Sequence, residues 1–189
     1  AAKADLLLVP EMALCCYPPR DLLDRPSFQA EAARLLATLA RRSGKTALLA
    51  GTFVPNPSET GKPLYNAAVL LRGGRVAAVA RKCLLPAYDV FDEVRHFEPA
   101  ERPVLVRLAG RKVGLTICED LWNDKDFFRK RRLYRADPGE TLLARGADLI
   151  VNVSASPFSE GKPRLRRRML ARLARDGRVP VAYLNLVGG

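Results

Sequence analysis

Short apolar runs rich in β-branched residues alternate along this chain with segments of helical periodicity. Apolar residues recur at helical spacing over 26–42 and 163–176, which predicts two amphipathic helices, and a short helix is expected at 141–145. Glycines at Gly73-Gly74 and Gly110 indicate two hairpin turns. Strands are predicted at 5–9, 46–53, 65–72, 75–80, 103–108, 112–117, 148–153 and 180–186. This alternation predicts an α/β fold with mixed sheets.

The composition fits one soluble globular domain of 189 residues. No apolar run approaches the ~20 residues that span a bilayer, and the N-terminus lacks signal-peptide features, so no membrane partner is expected. The four cysteines lie at positions 15, 16, 83 and 118, without C-x-x-C spacing, and there is a single histidine. This pattern argues against a structural zinc site and favours free thiols in a cytoplasmic protein.

The net charge of +12 requires a nucleic-acid interpretation to be weighed. Arginines cluster at 129–135 and again at 164–178, largely on the second predicted helix. Its apolar stripe, which includes Met169, leaves the arginines on the other faces, so a solvated helix face is the favoured interpretation. No segment resembles an RNA-binding strand interleaved with aromatic residues. A basic interaction module remains the alternative.

The most informative segment is the apolar run 113–117, which ends at Cys118 and is followed at once by acidic residues. A strand that ends in this way can deliver a nucleophile to a substrate. Because His96 is the only histidine, the base of a cysteine hydrolase here is expected to be another residue. Glu11 and Lys82 also lie just past the ends of predicted strands, where ligands collect in α/β sheets.

These three residue types form a coherent catalytic set. A thiol of ordinary pKa, about 8.5, is mostly protonated at neutral pH, and a carboxylate can accept its proton during attack. A lysine ammonium can stabilise the developing oxyanion, and the backbone N–H of Glu119 would add a second donor. Such a set cleaves an amide or nitrile through a thioester. Taken singly, each residue also fits a structural role, Cys118 for example as a small buried hydrophobe.

Longer motifs carry a family resemblance over nearly the whole chain. They comprise residues 9–23 (VPEMALCCYPPRDLL), 81–97 (RKCLLPAYDVFDEVRHF), 114–123 (GLTICEDLWN), 152–158 (NVSASPF) with Gly161, Lys162 and Arg166, and 183–189 (YLNLVGG). In these motifs the chain resembles the nitrilase superfamily and, within it, the glutaminase domain of glutamine-dependent NAD+ synthetases. The resemblance implies a nitrilase-like four-layer α-β-β-α sandwich with mixed sheets.

The resemblance also implies roles for individual residues. Cys118 would be the nucleophile, Glu11 the general base and Lys82 the catalytic lysine in the hydrolysis of glutamine to glutamate and ammonia. Glu93 would be an auxiliary carboxylate near the lysine, or alternatively an ion-pair partner of Arg95. The residues implied for holding glutamine are Tyr88, Glu119, Ser156 and Lys162.

Two of these glutamine-holding residues have alternatives. Tyr88 also fits a packed loop aromatic, and Ser156 also fits a turn or cap residue.

By the same resemblance, residues 1–189 would be a partial glutaminase domain that lacks sheet strands on both sides. Ammonia would pass to a C-terminal synthetase domain, absent from this sequence, which amidates nicotinic acid adenine dinucleotide to NAD+. ATP and Mg would bind in that domain, no cofactor is expected in this one, and the parent would be a homo-oligomer. Activity of the segment alone stays open. A stand-alone ω-amidase or carbamoylase of the same superfamily is an alternative.

The sequence also departs from the family's pattern. Cys15-Cys16 stands where Thr-Gly is usual, and loss of that glycine is expected to alter the backbone beside Glu11. His96 is interpreted as structural. The segment 124–135 is longer and more basic than expected and would form a surface or domain contact.

Overall fold

A computed structural model describes residues 3–124, 127 and 131–187 of the chain. Its first sheet has four strands in sequential order, with β1 parallel to β2 and the other two pairings antiparallel. These strands are β1 (Leu6–Leu8), β2 (Ala47–Pro55), β3 (Leu64–Arg72) and β4 (Arg75–Arg81). No helix within the described ranges is long and apolar enough to cross a membrane.

The second sheet also has four strands in sequential order. The first pairing is antiparallel and the other two are parallel. These strands are β5 (Val104–Leu108), β6 (Arg111–Ile117), β7 (Leu149–Ser154) and β8 (Val181–Asn185). The strands predicted from the sequence are all present, with ends within two residues of the expected positions. Each sheet contains both parallel and antiparallel pairings, so both are mixed sheets.

Both predicted hairpin turns have the backbone that a two-residue β-hairpin requires. Gly73 and Gly74 have φ of 60° and 82°, and Ala109 and Gly110 have φ of 48° and 78°. Two successive positive φ angles match the right-handed twist of the flanking strands, so glycine is favoured there.

The described residues also form α-helices. They are α1 (Pro26–Arg42), the single turn α2 (Glu93–His96), α3 (Pro138–Ala144) and α4 (Lys162–Gly177). The bounds of α1 match the prediction, whereas α3 begins three residues before the predicted 141–145. The reason is local: the Asp137 carboxylate accepts the N–H of Glu140 at 3.0 Å, and Pro138 occupies the first helical position.

Apolar clusters hold the layers together. The largest lies between the sheets and joins Leu49 and Leu70 of the first to Leu115 and Val153 of the second. A second cluster packs α1 against the outer face of the first sheet. A third packs α3 and α4 on the outer face of the second sheet, with Met169 fully buried. The described residues therefore form the four-layer α-β-β-α arrangement that was predicted.

Candidate active site

Glu11 lies in a tight turn that follows β1 and rests on the backbone of β2. Gly51 makes this approach possible: a Cβ at that position would lie 2.1 Å from the Pro10 carbonyl oxygen and 2.6 Å from the Glu11 Cα. The Leu14 N–H donates to the Gly51 carbonyl at 3.3 Å and fixes the turn. The Glu11 side chain is consequently buried.

Lys82 follows β4 and is buried between two carboxylates. Its Nζ lies 2.8 Å from Glu11 Oε1 and 2.7 Å from Glu93 Oε1. Burial alone would lower the pKa of Lys82, but Glu11 and Glu93 raise it well above its ordinary value. The lysine is therefore a cation held between two partners, as a buried charge requires.

Further donors saturate the two carboxylates. The Asn66 side-chain amide donates to Glu11 Oε1 at 2.8 Å and to Glu93 Oε2 at 3.2 Å. The Tyr17 hydroxyl donates to Glu93 Oε1 at 2.8 Å, and the backbone N–H of Ala155 donates to Glu11 Oε2 at 2.9 Å. Burial raises the pKa of Glu93, and the Lys82 ammonium opposes this shift.

The two alternatives for Glu93 are now distinguished by position. Glu93 contacts Lys82, whereas Arg95 pairs with Asp21 at 3.3 Å on the surface. His96 lies 3.6 Å from Asp24 Oδ1, outside this cluster.

Cys118 begins the 3₁₀ turn Cys118–Leu121 directly after β6, with a φ of 41°. A positive φ is costly for a residue with a Cβ, and such strain clusters at functional sites. Burial and the nearby Glu11 carboxylate raise the pKa of the Cys118 thiol, while the Lys82 ammonium and a hydrogen bond with Ser154 oppose the shift. The side chain is 4% exposed, so the resting thiol is protonated and shielded from water.

Asp120 ties the end of β6 to the loop that carries Lys82. Its Oδ1 accepts the backbone N–H groups of Cys83 and Leu84, both at 2.9 Å, and its Oδ2 accepts that of Ile117 at 2.9 Å. Burial raises its pKa to about 7, and these three N–H groups oppose the shift. These three hydrogen bonds fix the loop after β4 against the turn that begins at Cys118.

Glu119, next to Cys118, is the centre of a second polar cluster. The Tyr88 hydroxyl lies 2.8 Å and 2.9 Å from its two oxygens, and the Tyr134 hydroxyl lies 3.0 Å from Oε1. Lys162, the first residue of α4, lies with its Nζ 5.7 Å from the centre of the Trp122 ring. Burial raises the pKa of Glu119, and hydrogen bonds from Tyr88 and Tyr134 with the charges of Lys82 and Lys162 oppose the shift.

Ser156 lines a cavity of about 420 Å³. Its backbone N–H donates to Asn185 Oδ1 at 3.0 Å, and its carbonyl accepts from Asn185 Nδ2 at 3.1 Å. Tyr17 and Ala155 line the same cavity, and each of them hydrogen-bonds a carboxylate of the Lys82 cluster. The cavity therefore adjoins the buried charges, and its size suits a small ligand.

The structure thus brings together the strand ends singled out from the sequence. Glu11, Lys82 and Glu93 are in direct contact, and the Asp120 side chain joins the turn that begins at Cys118 to the loop that carries Lys82. Tyr88 and Glu119 are hydrogen-bonded to one another, Lys162 lies near the Trp122 ring, and Ser156 lines the adjoining cavity.

Several residues of the site were missed at the level of sequence. Asn66 and Gly51 carried a signal, because a polar residue and a glycine inside apolar strand runs both break the pattern. Tyr17 and Asp120 lie inside the quoted motifs but were given no role, and Tyr134 carried no signal, since their contacts depend on how loops meet.

Two departures from the family pattern can also be located. Cys16 has a φ of 64°, a backbone conformation that favours glycine, so the cysteine occupies the turn that the usual glycine would form. Of the basic segment 124–135, residues 125, 126 and 128–130 lie outside the described residues. Among the described residues, no group of three or more His, Cys, Asp or Glu side chains is arranged to hold a metal.

Comparison with known proteins gives consistent results. The family model described as carbon-nitrogen hydrolase matches residues 1–189. The glutamine-dependent NAD(+) synthetase of Synechocystis sp. is 44% identical over 193 residues, a match that covers 100% of this chain and 34% of that protein. The enzyme of the same name from Thermotoga maritima is 41% identical, over 98% of this chain and 30% of that protein. The chain thus spans about a third of the length of the curated relatives it matches.

Solved structures agree. The glutamine-dependent NAD+ synthetase of Acinetobacter baumannii, in complex with ADP, superposes with a TM-score of 0.85 at 31% identity, covering 98% of this chain and 32% of that one. An amidase from Nesterenkonia sp. gives 0.76 at 24% identity, covering 99% and 65%, and shows the fold alone. The resemblance to NAD+ synthetases is confirmed, and the chain belongs to the carbon-nitrogen hydrolase family.

Proposed function

We propose that this chain is the glutaminase domain of a glutamine-dependent NAD+ synthetase and that Cys118, Glu11 and Lys82 hydrolyse the side-chain amide of glutamine. One observation carries the proposal: a fully buried lysine is clamped between two carboxylates beside a cysteine that ends a strand. Burying three charges is costly, and such clusters are typical of functional sites.

In the first step the Cys118 thiol attacks the amide carbon while Glu11 accepts its proton, which forms a tetrahedral oxyanion. The Lys82 ammonium and the backbone N–H of Glu119 stabilise that negative charge. Collapse of the intermediate breaks the C–N bond, and the proton held by Glu11 passes to the leaving nitrogen. Ammonia departs, and a γ-glutamyl thioester remains on the sulfur.

In the second step a water molecule attacks the thioester. Glu11, again a carboxylate, accepts a proton from this water and then returns it to the departing thiolate. Glutamate is released and the thiol is restored. The resting proton on Cys118 suits this cycle, because the base acts during attack and no standing thiolate is needed.

We assign substrate binding to the residues around this set. Glu119, supported by Tyr88, offers negative charge to the α-ammonium group of glutamine. Lys162 and Ser156 border the space from which a substrate would approach. Glu93 acts as the auxiliary carboxylate that holds Lys82 in place.

The ammonia would be consumed elsewhere in the full-length protein. The relatives are named NAD(+) synthetases, and this chain spans about a third of their length, which supports a further synthetase domain in the full-length protein. We propose that this domain lies C-terminal to the present one, binds ATP and Mg and amidates nicotinic acid adenine dinucleotide. The glutaminase domain itself then needs no cofactor. We expect the full-length protein to act as a homo-oligomer in the cytoplasm.

The test replaces Cys118 by alanine in the full-length protein. We expect glutamine hydrolysis to fall by at least about a thousandfold, since loss of a nucleophile removes the whole covalent route. NAD+ synthesis from free ammonia should persist, because only the ammonia source is damaged. Cys83→Ala, at another buried cysteine, is the matched control and should keep glutamine hydrolysis. Ammonia release at the normal rate by a folded Cys118→Ala protein would refute the mechanism.

A further inference from the structure

The Glu119 carboxylate is held by two phenols that come from separate parts of the chain. Tyr88 belongs to the loop between β4 and α2, and Tyr134 belongs to the segment between Cys118–Leu121 and α3. Their hydroxyls lie 2.8 Å and 3.0 Å from Glu119 Oε1. A carboxylate accepts several such bonds at once, and the two phenols fix its orientation next to Cys118.

The position of Tyr134 is set by a buried side-chain clamp. The Asn123 amide nitrogen donates to the Tyr134 carbonyl at 2.8 Å and also to the carbonyl of Ala136. The Asn123 amide oxygen accepts the Tyr134 N–H at 3.3 Å, and Asn123 itself is buried. These bonds hold the backbone of Tyr134, so its hydroxyl reaches Glu119 from a fixed point.

The charges around Glu119 determine what it can bind. Burial raises its pKa, while hydrogen bonds from Tyr88 and Tyr134 and the charges of Lys82 and Lys162 lower it. Each phenol therefore favours the ionised carboxylate at neutral pH. A buried carboxylate beside a nucleophile is suited to a substrate that carries a cationic group near its reacting amide.

We propose that Tyr134 is a positioning residue that holds Glu119 to receive the α-ammonium group of the substrate, and thereby favours α-amino-acid amides over amides without that group. This inference rests on the proposed glutaminase function and deepens it.

Tyr134 is a better probe than Tyr88. The Tyr88 hydroxyl contacts both oxygens of Glu119, so its loss would free the whole carboxylate. Tyr134 meets Glu119 through Oε1. Tyr134→Phe removes one hydroxyl and leaves the ring, so its effect reports on the single bond.

The experiment compares two amides in the full-length protein and its Tyr134→Phe variant. The first is L-glutamine, and the second is glutarate monoamide, which has the same chain length and carboxylate but lacks the amino group. We expect KM for glutamine to rise about tenfold with kcat within about twofold, as for loss of one hydrogen bond to a charged group. The kinetics of glutarate monoamide should not change.

The pH profile gives a second readout that a purely structural role would not move. Loss of the Tyr134 donor raises the pKa of Glu119, so ionisation requires higher pH. The acid limb of kcat/KM for glutamine should therefore shift to higher pH, while that for glutarate monoamide stays in place. Tyr65→Phe is the matched control. The Tyr65 ring stacks with Arg81 away from Glu119, so removal of the Tyr65 hydroxyl should alter the kinetics of neither amide.

Calorimetry separates failure of this inference from failure of the proposed function. Binding of both amides is measured to Cys118→Ala and to Cys118→Ala with Tyr134→Phe. Weaker binding of glutamine alone in the double variant supports the role of Tyr134, even if the wild-type protein hydrolyses neither amide and the proposed function fails. An equal change for both amides, or no change for glutamine, overturns the inference.

Discussion

At the scale of single residues, the site depends on Lys82 being matched by its neighbours. One ammonium meets Glu11 and Glu93, and the amide of Asn66 bridges the two carboxylates. A buried cluster of paired charges contributes little to the net free energy of unfolding when it is complete. Loss of one member leaves an uncompensated buried charge, which destabilises the fold.

Lys82→Met tests that balance, because methionine fills similar volume without charge. We expect the free energy of unfolding at pH 7 to fall by about 3–5 kcal/mol, measured by urea denaturation. Burial raises the pKa of Glu93, and loss of the Lys82 ammonium removes the charge that opposes this shift. A carboxyl whose pKa is raised by folding stabilises the folded protein at low pH and loses that contribution as pH rises, so the deficit should shrink as the pH falls toward about pH 5.

The exposed Lys45→Met serves as the control for this prediction and should change stability by less than about 0.5 kcal/mol. A Lys82→Met protein as stable as the wild type at pH 7 would mean that the buried carboxylates are compensated in some other way.

The catalytic candidates could be predicted from the sequence because each follows a strand. Glu11, Lys82 and Cys118 come directly after apolar runs, and such ends meet at one edge of a sheet. The contact partners of Asn66 and Tyr17 could not be predicted, because the polar residue inside β3 marks a special position without naming the carboxylates that it contacts, and Tyr17 lies in a loop. Nothing in a linear pattern specifies which loops come into contact.

At the scale of elements, strands and hairpins were predictable because their signals are local. Apolar runs and paired glycines gave β3, β4 and their turn with little error. The short helix α2 was missed, because four residues contain too little periodicity to be seen. It matters all the same, since α2 begins at Glu93 and so places that carboxylate on Lys82.

The contact between β2 and the turn that carries Glu11 gives a prediction at this scale. Gly51→Ala would place a Cβ 2.1 Å from the Pro10 carbonyl oxygen, and backbone on both sides leaves no flexible end to yield. The turn must move, which should cost about 1–3 kcal/mol of stability and reduce kcat for glutamine at least about tenfold. Chemical denaturation and ammonia release measure the two effects.

Gly44→Ala is the matched control, because its added Cβ would meet no atom within 4 Å. It should retain both stability and activity. If Gly51→Ala behaved in the same way as Gly44→Ala, the close approach of the turn to β2 would not matter for the position of Glu11.

At the scale of the whole molecule, four layers bring the two sheets' strand ends to one site. The first sheet supplies the residues that follow β1 and β4, and the second supplies those that follow β6 and β7. The apolar core between the sheets therefore sets the distance between Glu11 and Cys118. The order of the layers could be expected from the motifs. How the strand ends of the two sheets come together at one site depends on side-chain packing between the sheets, which the motifs do not specify.

The net charge of +12 is largely an outer feature of this architecture. Met169 faces the core beneath α4, whereas Arg164, Arg167 and Arg168 are exposed on its other side. Asp176 pairs with Arg172 at 3.2 Å. This distribution is that of a solvated helix face and keeps the basic surface outside the Lys82 cluster.

The most direct test of the central claim is to identify the acylated residue during turnover. The full-length protein is mixed with glutamine, quenched in acid at successive times and analysed by peptide mass spectrometry. We expect a transient γ-glutamyl thioester on the peptide that contains Cys118, removed by hydroxylamine and absent from Cys118→Ala. A γ-glutamyl group on any other residue, or normal glutamine hydrolysis by Cys118→Ala, would contradict it.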